Sequence, residues 1–219
     1  MTATLEHITT CDCETGAASA ASQDPRIART QLALREAFVS PLEEKGFEGI
    51  TVGELCARAN INRGTFYNHF RDKETMLHTY EDEILADLNR FKKAITGVGL
   101  RELVRFRIAK RPLPFLVELF DYLREQGSFL HAVLGPKGDA SFGPKLRDAV
   151  CSKLIMSVLN EHYQNNPTPF VNYYVAFYAS AYLGVITRWI ETGMQESSEE
   201  MARIAMRLLF INPGEAITL

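Results

Sequence analysis

Residues 60–70 read NINRGTFYNHF and hold Arg63, Thr65, Tyr67, Asn68 and His69 without an acid, in a chain whose formal net charge is -3. An arginine guanidinium can donate two hydrogen bonds to a guanine edge, and an asparagine amide can reach an adenine edge. Threonine, tyrosine and histidine offer donors suited to phosphate oxygens. Gly64 lets the backbone come close to whatever the segment faces. These residue types in this order suit a surface that meets a polyanion and reads it.

Such a segment needs a rigid element beneath it. Apolar residues after Pro25 recur at three- and four-residue spacing and no stretch sustains strand-type alternation, so the chain is expected to be all-α. A first helix is predicted over 26–45, with Ile27, Leu34, Phe38 and Leu42 on one side, a kink at Pro41, and Gly46 as the left-handed residue that ends it. In ITVGEL, Thr51 caps a second helix, Glu54 completes a capping box and Ile50 staples against Leu55. Asn60 tolerates the left-handed backbone of a tight turn, and Asn62 caps a third helix from Arg63 to His69 with Phe66 and Phe70 inward. Asp72 caps a long fourth helix from Lys73 toward Ile95. Two short helices joined by a tight turn, packed with a third, form a helix-turn-helix, whose second helix enters the major groove by its N-terminal end. The expected DNA contacts are Thr51, Arg63, Gly64, Thr65, Tyr67, Asn68, His69 and Lys73, with Arg63 and Asn68 on base edges and Lys73, at a helix start, on phosphate.

The stretch TVGELCARANINRGTFYNHFRDKETML resembles the DNA-binding domain of the tetracycline-repressor (TetR) family over about residues 27–77. The shared pattern is Thr51, Ala59, Gly64 to Tyr67, His69, Phe70, Lys73 and Glu74. Cys56 stands where the family often has Ala and Asn60 where it usually has Gly; a thiol suits a buried helix face and Asn accepts the turn. The resemblance implies an all-helical C-terminal domain that dimerises through its last two long helices and commonly binds an effector. The C-terminal half, with GPKGDASF before an aromatic helix, is similar to the subgroup of the dihydroxyacetone-kinase operon activator.

In that half, shorter helices are expected near 100–110 and 113–125, a turn at Gly127, a helical turn through Leu134, and long helices near 144–163, 168–192 and 197–211. GPKGDASFGP reads as a loop, because no Gly-Lys-Ser or Gly-Lys-Thr closes it into a phosphate cradle. Along 168–192 two stripes recur at four-residue spacing: Tyr174, Tyr178, Tyr182 and Ile186, and the small residues Ala176, Ser180 and Gly184. A helix apolar on more than one face must be covered on more than one side, which makes a homodimer the expected state. Its expected interface is Tyr178, Tyr182, Ile186, Trp189, Leu208 and Leu209. An effector pocket is expected among Phe91, Phe106, Phe115, Phe120, Phe129, Tyr173 and Phe177, although aromatics at helical spacing more often fill a core.

With 219 residues, 46% hydrophobic and 23% charged, the chain has the composition of a globular protein. A pI near 6.0 excludes coating nucleic acid by bulk charge. Cys11, Cys13, Cys56 and Cys151 make no zinc spacing with histidine, and His7 with Cys11 and Cys13 lacks a fourth ligand, so neither a metal nor a cofactor is expected. His7, His78, His131 and His162 are scattered, and no catalytic set is gathered. The first 25 residues lack the Lys or Arg and the apolar run of a secretory signal, and Thr168 to Thr187, uncharged but with four tyrosines, reads as a buried helix instead of a membrane span. A cytoplasmic protein is expected, with a mobile tail over 1–25, a helix-turn-helix domain over 26–72 and a helical effector and dimerisation domain over 73–219. The function expected is a ligand-responsive repressor, bound as a homodimer to a pseudo-palindromic double-stranded DNA operator. A DNA-bound activator controlled by a protein partner is the alternative.

Overall fold

Local signals decide where the first helices start and stop. The structure, a computed structural model, describes residues 25–91, 94, 100–109, 111–159 and 168–209, among which there is no strand. The expected tail, with Cys11 and Cys13, and the break at 97–99 lie outside the described residues, Pro25 excepted. α1 spans Pro25–Lys45 and runs through Pro41 without interruption. Gly46 then takes φ +75° and its N–H closes on the Leu42 carbonyl at 3.0 Å, the left-handed helix end that glycine adopts without strain. Phe47 opens a 3-10 turn (Phe47–Gly49) and sets its ring edge-on to Phe38.

α2 (Val52–Arg58) starts at Thr51, whose hydroxyl accepts the Glu54 N–H at 3.2 Å. The Glu54 carboxylate sits 2.5 Å from Lys45 Nζ, and that hydrogen bond is the main reason its pKa lies below the ordinary range. Asn60 has φ +53°, as the turn requires. α3 (Arg63–His69) is capped by Asn62, which accepts the Thr65 N–H at 2.7 Å. α4 (Lys73–Leu88) is capped by Asp72, which accepts the Thr75 N–H at 2.7 Å and the Thr75 hydroxyl at 2.6 Å. It ends short of the expected limit in a 3-10 turn over Asn89–Phe91, and Ile95 lies outside the described residues.

The C-terminal half is α5 (Leu100–Ile108), α6 (Pro114–Glu125), α7 (Gly127–Leu134), α8 (Phe142–Leu146), α9 (Ser152–Val158), α10 (Pro169–Glu191) and α11 (Ser198–Leu208). α8 and α9 are one helical run opened to π geometry over Arg147–Cys151, in place of the uniform helix expected there. Pro169 occupies the first turn of α10, where its missing N–H costs nothing, and Ser197 with Glu200 makes a complete capping box on α11.

Packing joins the two halves. Leu34, Phe38, Leu42, Leu55 and Phe66 form the buried centre of the first three helices, and α7 lies along α1 with Phe129 6.4 Å from Phe38. Tyr80 of α4 is buried and donates its hydroxyl to the Gln31 carbonyl at 2.8 Å. α6 faces α11, and α10 rests on α7, α9 and the π turn. No helix among the described residues is long and apolar enough to cross a membrane.

Candidate nucleic-acid interface

The alternation of α3 is resolved by its own core contacts. Phe66 is fully buried and Phe70 nearly so, their rings 5.8 Å apart, which turns Arg63, Gly64, Tyr67 and Asn68 outward. Thr65 and His69 are half-buried at the flanks, and the Thr65 hydroxyl also donates to the capping Asn62 at 3.1 Å. Tyr67 keeps its ring edge against Phe66 while more than half of it stays exposed, an aromatic body with a free polar tip. Thr51 is exposed at the first turn of α2, beside the same face, with its hydroxyl used as the cap. Arg63 folds across that turn: a Cβ on Gly53 would come within 2.5 Å of its Nη2. Cys56 lies beneath in the core, its thiol pushed up by burial.

Lys73 departs from its expected place. Its ammonium donates to the carbonyls of Phe47 at 2.9 Å, Ile50 at 3.1 Å and Glu48 at 3.4 Å, and lies 4.6 Å from the Phe47 ring centre. Three donors meet three carbonyls, so the charge that was to face phosphate instead ties the turn before α2 to the start of α4. Arg71, which the sequence reading left unassigned, stands exposed immediately after α3 and pairs with Asp72 at 2.8 Å. Its signal is its place: a cation between the recognition helix and the next cap.

The remaining expected sites are redistributed. Phe91, Phe115, Phe120 and Phe129 are buried, and Phe106 is partly buried against the same core. Phe120 meets Trp189 edge-on at 5.4 Å and Phe91 meets Tyr122 at 6.3 Å, so these rings pack on other rings. None lines either of two clefts, one of about 290 Å³ between Glu43, the segment 131–137 and the end of α10, the other of about 570 Å³ between the turn at 45–48, the start of α4 and the loop 137–141. Tyr173 and Phe177, expected among them, point away from the core with 77% and 69% of their surface exposed. Half of the expected dimer face is packed inside the chain. Tyr182, Ile186 and Trp189 are buried within their own chain, Tyr182 donating to the Ala205 carbonyl of α11 at 2.5 Å and Trp189 Nε1 to the Glu196 carbonyl at 3.1 Å. Tyr178, Leu208 and Leu209 are half-buried. The exposed face of α10 carries Phe170, Tyr173, Ala176, Phe177, Ser180 and Gly184, and a Cβ on Gly184 would meet nothing within 4 Å. The reason is packing: α11 and the π turn claim the tyrosine stripe, which leaves the small-residue stripe outward.

Comparison with known proteins covers both halves. Residues 37–80 match the bacterial regulatory proteins of the tetR family, and residues 110–210 match a family of transcriptional regulator C-terminal regions. The chain is 39% identical over 66 residues to the HTH-type transcriptional regulator YxbF of Bacillus subtilis, a match of 30% of this chain and 17% of that protein. It is 38% identical over 47 residues to the HTH-type transcriptional repressor DhaR of Mycobacterium sp. strain GP1, 22% of this chain and 24% of that one. The matches thus span 24% or less of these relatives' own length. Among solved structures, the regulator FadR from Bacillus subtilis in complex with stearoyl-CoA aligns with a TM-score of 0.55 at 15% identity, over 81% of this chain and 96% of that one. The dihydroxyacetone kinase operon activator DhaS aligns at 0.51 and 20% identity, over 82% and 93%. At such identities the likeness is one of fold.

Proposed function

Because the chain belongs to the TetR family of bacterial transcriptional regulators, we propose that it is a ligand-responsive repressor that binds a pseudo-palindromic operator as a homodimer in the cytoplasm. Residues 26–72 are the reading unit and 73–219 the regulatory and dimerising unit. The observation that carries the DNA reading is the outward end of α3, where Arg63, Gly64, Tyr67 and Asn68 stand exposed on a helix anchored by Phe66 and Phe70. Arg63 reads a guanine, Asn68 an adenine edge, and Tyr67 and Thr65 hold phosphates. The exposed face of α10 supports the dimer, since Phe170, Tyr173 and Phe177 beside the small residues Ala176, Ser180 and Gly184 suit a second helix at close range. Ligand response is supported by the fold shared with FadR, which was solved with stearoyl-CoA, and repression by the likeness to DhaR.

Fluorescence anisotropy with the DNA upstream of the gene tests the reading. Arg63→Ala is expected to lose about 1–3 kcal/mol on the cognate site and to relax sequence preference. Equal losses on cognate and random DNA would remove Arg63 from the base-reading role.

A further inference from the structure

Away from the recognition helix, α4 and the loop after α7 bring a nitrogen ligand and two carboxylates together. His78 and Glu81, three apart on α4, share one face, and Asp139 reaches it from the loop between α7 and α8. One ligand atom from each lies within 4.8 Å of the other two, and His78 Nδ1 is 3.3 Å from Glu81 Oε2. Bonds of about 2.0–2.2 Å to a tetrahedral ion set ligand atoms roughly 3.3–3.6 Å apart, so small side-chain adjustments close the set.

The groups around this cluster leave it short of positive charge. Glu81 is fully buried, its Oε1 meets no donor, and its side chain faces the Asp139 carboxylate, a costly arrangement for two acids. Lys145 Nζ sits 3.3 Å from Oε2, the other oxygen, and so leaves Oε1 unmatched. Asp139 is held by the Ser141 N–H at 2.8 Å and the Ser141 hydroxyl at 2.7 Å, the kind of outer support that orients a metal ligand. His78 and Asp139 also line the cleft of about 570 Å³ between the turn at 45–48 and the loop, which provides an entry path. Two facing carboxylates need a proton or a cation between them. The imidazole, 3.3 Å from Glu81 and on the wall of the cleft, adds the nitrogen donor that a metal ion takes.

We propose that His78, Glu81 and Asp139 bind a first-row divalent cation of the zinc, cobalt or nickel class, with water completing its shell. One imidazole with two carboxylates suits these ions, and Mg²⁺ or Ca²⁺ would prefer oxygen alone. The ion ties α4, which follows the recognition helix directly, to the loop that lies against the end of α1 through Lys137 and the Glu44 carbonyl (2.6 Å). It thereby steadies the angle at which the reading unit meets the helical bundle.

The test uses the full chain carrying Cys11→Ser and Cys13→Ser, so that the thiols near His7 do not compete. Metal-free protein is titrated with Co²⁺, followed by its visible ligand-field bands, and with Zn²⁺ by calorimetry. One equivalent is expected per chain, undisturbed by Mg²⁺, with His78→Ala and Asp139→Asn each weakening binding by about tenfold or more. Both positions are only partly buried or exposed, and an unchanged circular dichroism melt verifies that each variant is folded. No binding by the metal-free protein, or binding unaltered in both variants, overturns the proposal and leaves a proton between Glu81 and Asp139. Since the titration needs no DNA, its failure would not touch the operator reading.

Discussion

Lys73 gives its ammonium protons to three backbone carbonyls of the turn before α2, and its removal takes a charged donor from each, with only the Phe47 carbonyl keeping a backbone donor, the Ile50 N–H at 3.2 Å, among the bonds described. Hydrogen bonds from a charged group are worth about 1.5–3 kcal/mol, so Lys73→Ala is expected to lose roughly 2 kcal/mol in urea unfolding. With the Lys73 protons committed to these carbonyls, the substitution should leave the salt slope of operator binding unchanged, in contrast to loss of a backbone contact, which would lower it by about one. Asp72 gives a second residue-level test. Hydrogen bonds from the Thr75 hydroxyl, then the Thr75 N–H, with Arg71 after them, bring its pKa from 3.8 down to about 2. A carboxylate whose folded pKa is depressed stabilises the fold fully above its unfolded value and loses that contribution as pH falls through the folded one. The cap should therefore weaken between pH 3.8 and about 2. Asp72→Asn, which keeps an acceptor but no charge, should show a smaller fall in melting temperature across that window.

α10 has one apolar face packed within the chain and one exposed, and substitutions on each separate folding from the proposed assembly. Tyr182→Phe removes one hydrogen bond to the Ala205 carbonyl and should cost about 1 kcal/mol of stability without changing the mass in solution. Phe177→Glu places a charge on the exposed face and should lower the melt only by the share that association contributes, leaving a midpoint independent of protein concentration, while sedimentation velocity shows a monomer. A dimer that survives Phe177→Glu and Tyr173→Glu together would move the interface off α10.

At the scale of the molecule, the buried cluster runs without a gap from Leu34 in α1 to Met206 in α11. Phe129 of α7 touches both Phe38 of α1 and Tyr80 of α4, and Arg35 lies 4.5 Å above the same ring. His131 and Glu43, 2.6 Å apart, add a link between α7 and α1 at the surface. A core shared in this way should unfold as one unit. Urea transitions followed by the fluorescence of Trp189, the chain's single tryptophan, and by far-ultraviolet circular dichroism are expected to coincide. If the chain is dimeric, the common midpoint should also rise with protein concentration.

The residues by themselves determined whatever depends on neighbours about four positions apart or fewer. Thr51, Asn62, Asp72 and Ser197 cap helices, and Gly46 and Asn60 take the left-handed backbone, because each satisfies or redirects chain within one turn of itself. The outward set on α3 was legible for the same reason, as Phe66 and Phe70 are unambiguous inward residues on a short helix. The two stripes of α10 were not, since tyrosine and small residues are both acceptable inside or out and only the approach of α11 and the π turn decides between them. Lys73 looked like a phosphate contact until the fold brought up carbonyls 23 to 26 positions earlier in the chain. Asp139 stands beside His78 and Glu81 only because the loop after α7 folds back on α4, a juxtaposition that spacing along the chain does not encode and that long-range packing alone produces.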